Sequence, residues 1–200
     1  NNKFLVVYED LNSTSGKAIV ATVSGTTVSF GTAAVFDNTD ISNPAIVYNE
    51  GSGGVGFFVI AYKDQGNSGH GKAVVVSILA NGTPNVYTPA TFAAVETTPF
   101  PSSAAYDSSS QKTIIAYRDD ANSNSGTAIV ATRSTGSLTF GSEVTFQNST
   151  TQEISTVYDS TNNKIVIAYQ DYSNTAAAAI VGTVSGTSIS FGTKVTFNSI

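Results

Sequence analysis

The chain has 200 residues, 40% of them hydrophobic and only 12% charged, and it contains no Cys, Met or Trp, so it can bury a sizeable core and is too apolar for disorder. A formal net charge of −5, with Lys and Arg scattered rather than clustered, speaks against nucleic-acid partners and against an electrostatic hold on anionic lipid. Without cysteine there are no disulfides and no thiolate sites, and no apolar run approaches the roughly 20 residues of a membrane helix, so membrane insertion is not expected.

The first predicted strand, Phe4-Leu-Val-Val-Tyr-Glu-Asp10, returns as Phe58-Val-Ile-Ala-Tyr-Lys-Asp64, Thr113-Ile-Ile-Ala-Tyr-Arg-Asp119 and Ile165-Val-Ile-Ala-Tyr-Gln-Asp171. Its tyrosines at 8, 62, 117 and 169 are spaced by 54, 55 and 52 residues. Self-similarity at a fixed period is the signature of a repeat architecture. After each Tyr-x-Asp comes a polar loop and a second apolar strand: Ala18-Ile-Val-Ala-Thr22, Ala73-Val-Val-Val-Ser77, Ala128-Ile-Val-Ala-Thr132 and Ala179-Ile-Val-Gly-Thr183. A short turn such as Ser24-Gly25-Thr26 leads to a third segment, Val28 to Phe36, matched by Leu138 to Phe146 and Ile189 to Phe197 and diverging in the second copy. A fourth segment ends at Tyr48, Tyr106 or Tyr158 and turns back into the next Tyr-x-Asp strand.

Four strand types follow: a (ending at Tyr48, Tyr106, Tyr158), b (carrying Tyr-x-Asp), c and d. The repeats run approximately 1–40, 41–95, 96–149 and 150–200 within a single repeat domain. Type a is represented three times and the others four, so fifteen strands are expected, one inner strand short of four full units. The start within a repeat, without an initiator Met, is expected of a piece of a longer polypeptide.

Strands b and c are almost continuously apolar, which predicts burial on both faces. Strand d alternates and carries Gly31, Gly141 or Gly192 after a Phe, the pattern of a bulged, partly exposed edge. Strand a is rich in small residues, as in Ser102-Ser103-Ala104-Ala105, which suits a crowded interior. An all-β fold is expected, with four-stranded blades of a β-propeller as its architecture: a four-bladed ring or an arc of a larger one. The repeated Tyr and Phe are read as packing between blades rather than as ligand-stacking groups.

The most regular polar feature is the b-to-c loop, which supplies Asp10 and Asn12, Asp64 and Asn67, Asp119 and Asn122, and Asp171 and Asn174. Asp and Asn here close Asx-type turns, and they also make these eight residues the ligand-binding candidates, through hydrogen bonds to sugar hydroxyls. No loop alone offers the six or more oxygens of a Ca²⁺ site, and neither a metal nor another cofactor is expected. Asp107 and Asp159 open the a-to-b turns. The acids left outside repeat-equivalent turns are Glu9, Asp37, Asp40, Glu50, Glu96, Asp120, Glu143 and Glu153, the candidates for a glycosidase-like alternative. That chemistry needs two suitably spaced carboxyls, and no catalytic residue is assigned. His70, the only histidine, lies in a glycine-rich loop and has no partners for a zinc site.

The succession Ile-Ala-Tyr-x-Asp, Ala-Ile-Val-(Ala/Gly)-Thr and Ser-Gly-Thr-x-(Ile/Val)-Ser-Phe-Gly-Thr resembles tandem repeats of tail-fibre-like and other virion-associated or surface proteins of marine bacteriophages and bacteria. The resemblance covers all four copies and implies a non-enzymatic recognition surface, extracellular or on a virion, whose partner is a cell-surface glycan or protein receptor. Self-association, or contact with further repeats of the parent chain, is the other partnership expected. A purely structural repeat of a fibre or virion is the alternative. The Asp-box, Trp-Asp and kelch signatures of better-known propellers are missing.

Overall fold

The computed structural model describes residues 3–50, 56–96 and 103–199; Ser102 of the expected inner strand lies outside them. Those residues form antiparallel β-sheets joined by short turns, with three single-turn 3₁₀ segments. The fold is all-β.

In the first sheet, β1 (Lys3–Asp10) pairs with β2 (Ser15–Ser24), and β2 pairs in turn with β3 (Thr27–Phe30) and β4 (Ala34–Asp37). The second is ordered β5 (Ile41–Asn49), β6 (Phe57–Asp64), β7 (His70–Ile78), with β8 (Pro84–Val86) and β9 (Ala90–Glu96) both on β7. The third runs β10 (Ser103–Asp107), β11 (Lys112–Asp119), β12 (Ser125–Ser134), and β12 carries β13 (Ser137–Phe140) and the start of β14 (Val144–Asp159). The far half of β14 is the first strand of the fourth sheet, followed by β15 (Lys164–Asp171), β16 (Ala176–Ser185), and, on β16, β17 (Ser188–Phe191) and β18 (Val195–Ser199).

The strand count differs from expectation for two physical reasons. Every type d strand is broken: in three copies after its Phe, where Gly31, Gly141 and Gly192 donate a backbone hydrogen bond to Val20, Val130 and Val181 of the neighbouring type c strand, and in the second after Val86, where the Tyr87 amide donates to Val75, before pairing resumes one residue out of register. Between the third and fourth sheets, d and a are one continuous strand, β14. Eighteen strands result among the described residues.

The apolar runs of b and c are divided by the two-residue period of a strand between two cores. On β6 and β7, Ile60, Tyr62, Val74 and Val76 face the first sheet with Leu5, Val20 and Phe36. Their neighbours Val59, Ala61, Ala73 and Val75 face the third with Ile115, Tyr117 and Ile129. Ile114, Ala116, Ala128 and Val130 then meet Ile165, Ile167, Tyr169 and Ile180 of the fourth. Burial on both faces therefore holds for the two inner sheets but fails in the outer two. Phe4, Val6 and Tyr8 of β1, and Val181, Val195 and Phe197 of the fourth sheet, are exposed because no described sheet covers those sides.

At each covered junction a Phe from strand d packs obliquely on the Tyr of the next b strand: Phe36 on Tyr62, Phe92 on Tyr117 and Phe146 on Tyr169, with centroids 5.1, 5.2 and 5.1 Å apart. Polar links reinforce the stack. Arg133 of β12 reaches the second sheet, donating from Nε to Asn49 Oδ1 (2.9 Å) and from Nη2 to the Glu50 carbonyl (3.0 Å), with its guanidinium 4.0 Å above the Phe57 ring.

Candidate functional site

Each b strand ends on an aspartate whose side chain is turned inward. Asp64, Asp119 and Asp171 are buried, while Asp10 is partly exposed. The next residues form one tight turn, Gln65–Asn67, Asp120–Asn122 or Tyr172–Asn174, and four residues after each aspartate stands a left-handed residue: Thr14, Ser68, Ser123 or Thr175. A non-glycine residue in that region costs roughly 1 kcal/mol or more, and four repetitions of it make these loops rigidly specified.

The carboxylates close the turns. Asp10 accepts from the Asn12 amide at 3.1 Å and from Ser13 Oγ at 2.8 Å; Asp119 accepts from the Asn122 amide at 3.2 Å, and Asp171 from Asn174 Nδ2 at 2.8 Å. Asn67 Nδ2 lies 3.3 Å from His70 Nδ1, and Asn122 Nδ2 donates to Thr145 Oγ1 at 3.3 Å. The bonds made by these eight residues thus stay within their own loop or reach the adjoining sheet.

What the sequence did not single out are the cations and the d-to-a connections that meet the loops. Lys17 pairs with Asp10, Lys72 with both Asp64 and Asp37, and Lys194 with Asp171 at 2.8 Å. Lys17 and Lys72 follow their aspartates by seven and eight residues at the start of strand c, a signal readable in the repeat. Lys194 comes from strand d on the far side of the sheet and has no local signature.

The richest cluster lies between the first and second sheets. Asp37, at the end of β4, accepts from the Tyr62 hydroxyl at 2.8 Å and from Thr39 Oγ1 at 2.6 Å, and the same Thr39 hydroxyl lies 2.7 Å from Asp64 Oδ1. Burial works against the Asp37 anion, but the hydrogen bonds from Thr39 and Tyr62 and the charge of Lys72 outweigh it and hold the carboxyl below its ordinary value. Lys72 is correspondingly raised: its desolvation is outweighed by the hydrogen bond to Asp64 and by the charges of Asp37 and Asp64. The hydrogen bond from Lys17, joined by those from Ser13 and Asn12, brings Asp10 down to about 2. Beside them, burial, the charge of Asp40 and a hydrogen bond shared with Asp40 raise the Glu9 carboxyl.

An open cavity of about 410 Å³ adjoins this cluster, lined by Val35, Phe36, Asp37, Asn38, Lys72 and Pro89. The other junctions are wired differently. Tyr117 donates to Glu143 Oε1 at 2.6 Å, and Tyr169 reaches Gln147 Oε1 at 3.3 Å with its own ionisation pushed up to about 12 by burial and the nearby Asp171 charge. Of the acids set aside as glycosidase candidates, Asp120 pairs with Arg118 at 2.9 Å, and Glu153 sits at a left-handed bulge in β14. The Glu96 side chain lies outside the described residues. Among the described residues, no group of three or more His, Asp or Glu is placed to hold a metal ion.

The cluster holds fixed donors and acceptors at the mouth of a shallow cavity, while burial and Asp40 keep the Glu9 carboxyl protonated at higher pH than usual. Comparison with family models, with curated proteins and with solved structures finds no match to this chain.

Proposed function

We propose that the chain is an arc of β-propeller blades serving as a non-enzymatic recognition module on a virion or cell surface, with a glycan as its ligand. The blade reading is supported by the recurring a-b-c-d strand order, by cores that lie between successive sheets, and by contacts between the inner strands β5, β10 and β14.

The observation that carries the binding reading is the cavity between the first two sheets. Asp37, Asn38 and Lys72 stand there beside Val35, Phe36 and Pro89. Fixed polar groups set against an apolar wall suit a sugar ring, which has a hydroxyl rim and a C–H face. Asn38 is exposed and takes no part in the ion-pair cluster, so it offers a clean probe. On a glycan array and in a lipopolysaccharide pull-down, the wild-type chain is expected to retain ligand, and Asn38→Trp, which fills the cavity mouth, to lose it. Silence of the wild type in both assays, or equal binding by Asn38→Trp, would count decisively against the proposal.

The exposed apolar residues on the outward sides of the first and fourth sheets favour a second reading, a structural repeat that assembles with like units. Particle assembly that proceeds unchanged after deletion of these repeats would sink it. A glycosidase-like role draws less support. Glu9 and Asp40 share a hydrogen bond, which sets their carboxyls closer than the roughly 5 Å or more that either glycosidase geometry requires.

A further inference from the structure

A second cavity lies at the opposite end of the same two sheets, away from the b-to-c loops. It measures about 620 Å³ and is lined by Lys3, Phe4 and Leu5 of β1, by Ile46 and Tyr48 of β5, and by Phe58 of β6, with Ile78 and its neighbours at the rim. One wall is a strand edge: β1 pairs with β2 alone, and among the described residues no strand occupies its other side. The corresponding b strands β6, β11 and β15 all carry an inner strand at that edge.

Equivalent residues show what is missing. Tyr106 and Tyr158 end their inner strands partly buried, whereas the equivalent Tyr48, which lines the cavity, is 52% exposed; Phe4, on the uncovered outward side of β1, is 56% exposed. An eight-residue strand edge flanked by uncovered aromatics is a ready template for another strand.

The register of the other three sheets specifies the occupant. Tyr48 stands opposite Phe58, Tyr106 opposite Thr113 and Tyr158 opposite Ile165. Each of those partners lies four residues before its Tyr-x-Asp tyrosine, the place that Phe4 takes before Tyr8. One residue further out, Asp107 faces Lys112 and Asp159 faces Lys164, and the equivalent position in β1 is Lys3.

We propose that this groove is a strand-acceptor site whose occupant is the inner strand of a further repeat of the same kind: an extended, antiparallel segment ending in Tyr-Asp, with its Tyr opposite Phe4 and its Asp opposite Lys3. Backbone hydrogen bonds to β1 supply the attachment, as in other cases of strand addition to a sheet edge. The aromatic wall and the Lys3 charge supply the selectivity, since unlike charges directly opposite are favoured and like charges are not. The proposal rests on the strand registers and is independent of the glycan reading.

The test adds a capped peptide of residues 154–160, Ile-Ser-Thr-Val-Tyr-Asp-Ser, to the 200-residue chain and follows amide hydrogen exchange. Saturating peptide is expected to slow exchange of β1 amides about tenfold or more, consistent with new backbone bonding at a formerly open edge, while β15 amides stay unchanged. A peptide with Lys in place of the Asp is expected to bind severalfold more weakly, and Lys3→Glu to invert that order of preference. Unchanged β1 exchange, or protection by a scrambled peptide equal to that by the Tyr-Asp peptide, would overturn the proposal. So would β1 protection that rises with protein concentration without peptide, because a second copy would then be pairing edge to edge. A preference between the two peptides that Lys3→Glu leaves unaltered would remove the Lys3–Asp register and with it the assigned occupant.

Discussion

In the third sheet, the place where a Gly126 Cβ would stand is already taken by the Phe146 ring: Cε2 and Cζ lie 2.5 and 2.6 Å from it, and Thr151 Oγ1 lies at 3.0 Å. That ring is wedged between Gly126 and Tyr169, whose ring centroid is 5.1 Å away, and belongs to the core between the third and fourth sheets. Gly126→Ala must therefore move a buried aromatic, at about 1–3 kcal/mol for overpacking. Losing the Phe146–Tyr169 contact adds about 0.5–1.5 kcal/mol. Against this stands a gain of about 0.4–1 kcal/mol from the lower entropy of the unfolded chain, because no left-handed conformation bars alanine here.

The net expectation is a loss of about 0.5–4 kcal/mol, or a Tm lower by roughly 2–4 °C per kcal/mol for a chain of this size. Paired with Phe146→Leu, which frees space over the new methyl, the double variant should be less destabilised than the sum of the two single changes. Urea and thermal unfolding of the four proteins measure this directly. A neutral or stabilised Gly126→Ala, or strict additivity in the cycle, would refute the packing argument. The fourth sheet has already made the exchange: Ala177 stands at the equivalent pairing position, opposite Asn198, and Phe197 is 64% exposed.

Two further outcomes follow from the polar links. Arg133→Lys cannot reproduce the forked donation to Asn49 and Glu50 or the stacking on Phe57; a loss of about 1–3 kcal/mol is expected in denaturant titration, with little recovery relative to Arg133→Ala, and full rescue by lysine would argue against the clamp. The carboxyls of Asp10, Asp37, Asp107, Asp159 and Asp171 are all held below their ordinary values, Asp10 at about 2. Depressed folded-state values stabilise the fold fully above the ordinary carboxylate range and lose that contribution as pH falls through them. Tm should therefore be flat near neutrality and drop between about pH 4 and 2, with Asp10→Asn shallowing the lower part of the drop; a Tm that held steady or rose on acidification would contradict this.

Much of the fold is written locally. The Tyr-x-Asp recurrence located β1, β6, β11 and β15 because a half-turn period and a terminal aspartate are properties of a few adjacent residues. The b-to-c loop candidates were visible for the same reason, since Asp10 and Asn12 or Asp171 and Asn174 meet within one turn. The break in strand d was foreshadowed by Gly31, Gly141 and Gly192, whereas the fusion of d and a into β14 was not, because it depends on how Gln147 to Thr151 lie across two sheets.

Other features belong to the tertiary structure alone. Lys194 meets Asp171 across the strands of one sheet, and Thr39 joins Asp37 to Asp64 where the first two sheets lie side by side, contacts set by how the strands pack rather than by adjacent residues. Equivalent positions of the repeats also came to different fates: Tyr62, Tyr117 and Tyr169 are buried, and Tyr8 is not. Local sequence sets which residues each strand offers to its two faces, by a two-residue alternation that needs no other part of the chain. Which face meets another sheet, and so which aromatics and which strand edge remain free to bind, is decided by the neighbours each sheet has.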